Sequence, residues 1–341
     1  MNSQVIKFVA GAGKTTFSEN YMKENKNGLY LAFNNSVVDE LKNKGYLCKT
    51  IDSLFESFII PKLTMRIPLI ANGAKVNYID NKELKGYKRG IANIKIHEDG
   101  KLFNISNDTH INLNMSDRYL HSRGEFKSSF FIKSIFTKDS LNINDQLRAE
   151  LSHYIIKQYP DNIVNFLKKR FSYIIIDEAQ DLKSYREEFA ELLYNSNIKL
   201  IILGDDNQNI NGGGNWFESL EPNLIENKTH RCSDSICKWI RDNLGIEIFG
   251  TEKSGEYIKI NNSDVLKYDN GKRVLLYHGN AGSNREIINN WKGDKQTIKS
   301  VKGSTIEKDI VILGGRMRIK NLYTAITRTT RNCYSTISRI T

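Results

Sequence analysis

Three short segments carry side chains whose types and spacing fit nucleotide chemistry. In Ala10-Gly11-Ala12-Gly13-Lys14-Thr15-Thr16, two glycines precede a lysine and two hydroxyls, between an apolar run and a helical pattern. Glycines at a strand-to-helix turn let backbone N–H groups close on phosphate oxygens, and the helix N-terminus adds its dipole. In that frame Lys14 pairs with the outer phosphates and Thr15 ligates Mg²⁺, the lysine and hydroxyl roles of G-x-x-x-x-G-K-[ST]. Phe8 stands where that pattern has its first glycine. The second segment is Ile174-Ile175-Ile176-Asp177-Glu178-Ala179-Gln180-Asp181. A carboxylate ending a buried strand, Asp177, can hold Mg²⁺, and its neighbour Glu178 is placed to polarise a water as general base. The third is Gly204-Asp205-Asp206-Asn207-Gln208, where the Gln208 amide can sense a terminal phosphate without ionising.

Further along lie Thr229-His230-Arg231-Cys232, Ser300-Val301-Lys302-Gly303-Ser304-Thr305 and Leu322-Tyr323-Thr324-Ala325-Ile326-Thr327-Arg328. A guanidinium delivered by a second domain neutralises charge on a transferring phosphoryl group, and losing it costs roughly 10³–10⁵ in rate. Arg231 and Arg328 are the candidates for that role. Each segment has a plainer alternative when taken singly: a Gly-Lys-Thr turn, a helix cap, a Gly-Asp-Asn turn, a solvated arginine. Their joint presence is what argues for a nucleotide.

These residues need a scaffold that presents strand ends together. Residues 4–10, 29–33, 173–176 and 199–203 are short apolar runs separated by helical patterns, among them an amphipathic helix from Ser36 to about Lys44. This is the pattern of a parallel sheet with crossover helices, which binds ligands at the carboxyl ends of its strands. Further strand candidates at 273–277 and 309–313 belong to a second α/β unit beginning near 219. Residues 58–150 differ. NIKIHEDGKLFNIS alternates about Asp99-Gly100, a hairpin signal, and INLNM offers another strand. Lys82, Lys85, Lys88, Arg89, Arg118, Arg123, Lys127 and Lys133 are interleaved there with Tyr87, Tyr119, Phe126, Phe130 and Phe131. This segment is expected to form a wedge or lid over a nucleic-acid strand, or else a solvated decoration.

Composition bounds the partners. The 341 residues carry 50 Lys and Arg against 39 Asp and Glu, a net charge of +11, which favours a polyanion. Hydrophobic residues make up 39% and no apolar run reaches the roughly 20 residues of a membrane span. The start, MNSQVIKFVAGAGKTT, does not have the make-up of a secretory signal. Cys48, Cys232, Cys237 and Cys333 form no disulfide or zinc pattern. An intracellular, reducing setting, cytoplasmic or nuclear, is therefore expected. The Asn-, Lys- and Ile-rich composition and the compact size suggest a viral or phage origin.

Taken in order, the segments resemble the superfamily 1 helicases from Phe8 to Arg328. AGAGKT resembles motif I, AFNNSVVDEL motif Ia, and KTIDSLF the following Thr-x-His-Ser segment, with Asp52 in the histidine position. IIIDEAQDL and LGDDNQNI resemble motifs II and III of the UvrD/Rep type. ENKTHRCSDSI resembles motif IV, SVKGSTIEKDIVIL motif V and LYTAITR motif VI.

The resemblance implies an α/β fold of two RecA-like domains with ATP·Mg²⁺ between them and single-stranded nucleic acid across their top. The first domain would comprise 1–57 and 151–218, the insertion 58–150 and the second domain 219–341. ATP would be held by Ala10, Gly11, Ala12, Gly13, Lys14, Thr15, Thr16 and Gly303, and Mg²⁺ by Thr15 and Asp177. Glu178, Gln208, Arg231 and Arg328 would serve catalysis, and Phe33, Asn35, Thr50, Ser53 and Thr297 would touch the strand. The implied activity is an ATP-dependent helicase or translocase on DNA ahead of RNA, working as a monomeric motor core that separates duplex. The rival is a binding module whose nucleotide site is regulatory or vestigial.

Three departures stand out. The upstream glutamine that reads adenine in UvrD/Rep members has no counterpart at its usual distance. Asn211-Gly212-Gly213-Gly214 replaces the aromatic residue and arginine that follow motif III, leaving Trp216 or Phe217 as candidate base-stacking residues. Only about 65 residues separate motifs IV and V, too few for the large second accessory domain. DEAQDL and GDDNQNI point to the 3′→5′ branch, whereas GSTIE and the hairpin-rich insertion point to the 5′→3′ branch, so polarity stays open.

Overall fold

The computed structural model describes residues 3–33, 35–63, 66, 75–78, 94–96, 98–99, 102–104, 109–111, 136–137, 140–278 and 284–341. Two parallel sheets organise the chain. The first runs Leu224–Glu226, Ser3–Phe8, Leu200–Gly204, Tyr173–Ile176, Gly28–Ala32, Cys48–Thr50, every neighbouring pair parallel. The second runs Tyr257–Lys259, Cys333–Ser335, Ile310–Leu313, Val274–Tyr277, Lys295–Thr297, again all parallel.

The apolar runs of the sequence become these strands because each is covered on both faces. Along them, alternate residues enter different cores, as the twofold side-chain period of a strand requires. Val5, Leu29, Leu31, Ile174, Ile176, Leu200 and Ile202 enter one core. Ile6, Tyr30, Ala32, Tyr173, Ile175, Ile201 and Leu203 enter the other. That second core is continuous past the glycine loop into the second sheet, taking in Ile236, Ile240, Ile310, Ile312 and Tyr323. The two halves thus share buried apolar surface directly behind the glycine loop.

The division of the chain differs in detail from the expected one. Leu224–Glu226 pairs in parallel with Ser3–Phe8, so the chain leaves the first sheet after Glu226 rather than at residue 218. Ile59, Ile60 and Leu63, assigned by sequence to the insertion, are fully buried in the first core, and Leu147, also assigned to it, is buried there on the returning helix Asp145–Gln158. Between them, Ile94–Ile96 and Leu102–Asn104 pair antiparallel, which is the expected hairpin, and Thr109–Ile111 extends it to three strands. Ile96 packs on the first core. Gly100, expected at the hairpin turn, and the basic and aromatic residues assigned to the wedge between positions 82 and 133 lie outside the described residues.

Candidate active site and strand-binding surface

The glycine loop leaves the strand Ser3–Phe8 and enters the helix Lys14–Glu24. Gly11 and Gly13 adopt φ of 75° and 88°. Gly11 also has no room for a side chain, since a Cβ there would lie 2.7 Å from Arg231 Cβ and from Thr229 Oγ1. Phe8 ends the strand inside the core and packs on Phe17, their rings 5.8 Å apart. Thr15 and Thr16 are exposed on the first turn of the helix.

Lys14 reaches across to the strand Tyr173–Ile176, its Nζ 3.1 Å from Asp177 Oδ1 and 2.6 Å from Glu178 Oε1. Burial works against its charge, but the two carboxylates more than offset this and hold it above the ordinary lysine range. Burial would likewise raise Glu178, yet the charge of Lys14 draws its carboxyl down to about 2, so it is ionised throughout the neutral range. Glu178 sits in the left-handed region at φ 52°, ψ 41°, a conformation a non-glycine residue keeps only where its surroundings impose it. Tyr30 donates to Asp177 Oδ2 at 2.5 Å, and Gln180 Nε2 donates to Glu178 Oε2 at 2.5 Å.

Gln208 and Arg328, chosen from distant segments, meet directly. Arg328 Nη2 donates to Gln208 Oε1 at 2.9 Å, and Gln208 Nε2 donates to Asp205 Oδ2 at 2.6 Å. Arg328 is only 1% exposed and its Nε donates to the Thr324 carbonyl. Burial, then the nearby Arg231, lowers its pKa to about 10, which leaves it charged at neutral pH. Arg231 lies beside Gly11 and donates to the Thr327 carbonyl at 3.0 Å, while Thr229 Oγ1 donates to the Ala10 carbonyl at 2.6 Å. Gly303, φ 84°, occupies the turn between Lys302 and Ser304. It approaches the cluster through those neighbours: Ser304 accepts from Arg328, and Lys302 bridges to Asp181 at 2.6 and 2.7 Å and to the Gln208 carbonyl at 2.5 Å.

Sequence reading did not single out Lys302, Tyr323, Tyr30 or Gln180, although all four lie inside the segments it quoted. No local pattern marks them. Their roles come from contacts across more than 100 residues of chain or, for Gln180, from a turn that folds it back on Glu178.

Four of the five expected strand contacts share one surface. Phe33, Asn35, Thr50 and Ser53 line a cavity of about 410 Å³ at the carboxyl edge of the first sheet. Phe33 is 37% exposed, available for stacking, while the Thr50 hydroxyl caps the following turn by accepting from Ser53 N–H. Asp52, in the family's histidine position, is an anchor. Arg186 grips it at 2.6 and 2.7 Å, Tyr185 at 2.5 Å and Arg148 at 3.0 Å. Burial opposes its charge, but those donors hold its carboxyl below the ordinary range. Thr297 lies apart, at the end of Lys295–Thr297 in the second sheet, paired with Ser300.

Between the halves a groove of about 820 Å³ is lined by Asn209, Ile210 and Gly212 on one side and Lys299, Arg316 and Arg318 on the other. These cations were not selected by sequence. Neither stacking candidate faces that groove's lining. Phe217 is 1% exposed within the first core, and Trp216 packs on that core with its ring 6.0 Å from Tyr194. Core burial has claimed the Phe217 ring, whereas Trp216 is only partly buried against that core.

Two family models match this chain. The UvrD/REP helicase N-terminal domain matches residues 14–212, and the viral superfamily 1 RNA helicase core domain matches residues 129–335. The chain belongs to the superfamily 1 helicases. The RecB subunit of the RecBCD enzyme from Borreliella burgdorferi is 29% identical over 138 residues, covering 39% of this chain and 12% of RecB. Among solved structures, the arterivirus nonstructural protein 10 helicase in complex with DNA aligns at 13% identity and TM-score 0.47, covering 98% of this chain and 60% of that one. The helicase of PRRSV aligns at 12% and 0.46, covering 98% and 52%. This superfamily 1 chain therefore spans about half to three-fifths of those viral helicases and a small part of RecB.

Proposed function

We propose that the chain is an ATP-driven motor that hydrolyses ATP·Mg²⁺ while translocating on single-stranded nucleic acid, DNA ahead of RNA, and separating duplex. What supports this most is the convergence, from the two halves, of Lys14, Asp177 and Glu178 with Gln208, Arg231 and Arg328 around one glycine loop. The donor set suits Mg²⁺. Among the described residues no group of three His, Cys, Asp or Glu side chains is placed to hold a metal ion by itself. One carboxylate, Asp177, one hydroxyl, Thr15, and the phosphates of the nucleotide are the oxygen ligands that Mg²⁺ accepts. Bound there, the ion would offset phosphate charge.

The protein's own residues would divide the remaining work. Lys14 exchanges its carboxylate partners for phosphate oxygens, which releases Glu178 to accept a proton from the attacking water. Gln208 orients that water, and Arg231 and Arg328 neutralise charge as the outer phosphoryl leaves. The surface of Phe33, Asn35, Thr50 and Ser53 supplies one exposed ring and hydroxyls, and the groove of Lys299, Arg316 and Arg318 supplies cations, a set that suits a strand held by phosphate contacts and stacking. The test is ATP hydrolysis measured with and without single-stranded DNA and RNA. Strand-stimulated turnover is expected; binding of a strand with no hydrolysis under any condition refutes the motor.

A further inference from the structure

A chain of hydrogen bonds joins the glycine loop to Gln208, Arg328 and Glu178 through one buried phenol. Tyr323, on the helix Ile319–Ile326 of the second half, is fully buried. Its hydroxyl accepts from the Ala10 backbone N–H at 2.9 Å and lies 3.2 Å from Asp205 Oδ2, to which it donates. That same Oδ2 accepts from Gln208 Nε2, and Gln208 Oε1 accepts from Arg328. On its other side, the Asp205 N–H donates to Gln180 Oε1 at 3.0 Å, and Gln180 Nε2 donates to Glu178. One hydroxyl from the second half is thereby tied to the phosphate loop, to the amide facing the outer phosphate and to the base.

We propose that Tyr323 is a positioning residue for hydrolysis, whose hydroxyl makes the alignment of Gln208 and Glu178 depend on docking of the second half against the glycine loop. The inference rests on the reading of the site as an ATPase. Tyr323 touches neither nucleotide nor reacting atoms; it acts through Asp205. Its burial keeps the phenol well above the ordinary tyrosine range, so it remains a donor at every working pH. Asp205 is the opposite case. Burial, opposed by the bonds from Gln208 and the Asn207 N–H and by the charge of Lys14, and reinforced by that of Glu178, pushes its carboxyl up to about 6. Below that pH the carboxyl carries a proton and no longer accepts fully from both Gln208 and Tyr323, so the alignment loosens while Glu178 stays ionised.

A tyrosine that only fills the core would tolerate loss of its hydroxyl, because the ring supplies the packing. Tyr323→Phe, in the full chain with saturating single-stranded DNA, is assayed for kcat and KM for ATP from about pH 5 to 9 and for thermal midpoint. The expected result is a kcat lower by roughly 10- to 100-fold, with KM for ATP within about threefold. The acid limb of kcat also moves to higher pH, because the Asp205 carboxylate has lost a donor. Unchanged kcat with the acid limb in place overturns the proposal. Asp205→Asn, nearly isosteric, guards against a Phe variant that fails to fold: its acid limb near pH 6 disappears if the relay operates, and a limb that persists overturns it. A wild-type chain that hydrolyses no ATP overturns the reading of the site and the relay with it, whereas an active wild type with an indifferent Tyr323→Phe overturns the relay alone.

Discussion

Removing the ammonium of Lys302 should cost stability and turnover together, by an amount the structure bounds. Its Nζ lies 2.7 and 2.6 Å from the two oxygens of Asp181 and 2.5 Å from the Gln208 carbonyl, and the side chains of Lys302 and Asp181 are only 9% and 1% exposed. Lys302→Met keeps the stem and leaves a buried carboxylate whose remaining partner is the Asn211 amide at 3.4 Å. Breaking one side of a buried pair costs about 3–5 kcal/mol. Protonation caps that cost. Burial already pushes Asp181 above its ordinary range with Lys302 beside it, and loss of the cation pushes it further. A carboxyl whose folded pKa is raised favours the fold at low pH and loses that advantage as pH rises through the folded value. The deficit of the variant should therefore be largest at neutral and alkaline pH and shrink on acidification, by about 1.4 kcal/mol for each unit below the folded pKa. Asp181→Leu alone strands the cation, while Lys302→Met with Asp181→Leu replaces the pair by apolar contact and should recover most of the loss. The assay is a double-mutant cycle of denaturation midpoints at two pH values, with ATP turnover measured alongside. Additivity of the two single changes within about 0.5 kcal/mol would refute the coupling.

Other consequences are more direct. Lys14→Ala should lower ATP hydrolysis by about 10²–10³-fold while strand affinity, measured by fluorescence anisotropy, stays near wild type; joint loss of both would move Lys14 out of the phosphate site. Glu178→Gln should still bind ATP·Mg²⁺ yet turn over about 10²–10⁴-fold more slowly. Asp177→Asn should instead raise the Mg²⁺ concentration needed for half-maximal rate, and indistinguishable Mg²⁺ titrations would remove the separate roles. Single-strand affinity should fall about 50-fold for a fourfold rise in salt if about four phosphates are contacted. An affinity flat in salt would exclude the row of Lys299, Arg316 and Arg318 as its footing.

What the sequence revealed and what it withheld divide along one physical line. Runs such as Tyr173–Ile176 were legible because a strand covered on both faces must be continuously apolar, and this one ends in Asp177, the acidic residue that the sheet edge presents. That Lys14 meets Asp177 and Glu178, and that Gln208 meets Arg328, was legible for the same reason, since phosphate chemistry limits the side chains that can stand at such an edge. Asp52 shows where this reasoning stops. It takes the place of a family histidine between Thr50 and Ser53, and nothing local shows that four donors from Tyr185, Arg186 and Arg148 spend its carboxylate on fixing the fold. Phe217 fails likewise as a stacking residue, because core packing takes large apolar rings whatever their distance from a motif. Tyr323 and Lys302 are the converse. They sit within recognised segments, but their importance depends on the second half meeting the glycine loop and the acidic turn, a geometry encoded by no local period. A position is thus readable when one element and one chemistry restrict it. It becomes readable only in three dimensions when two elements must arrive together, as Tyr323, Ala10 and Asp205 do.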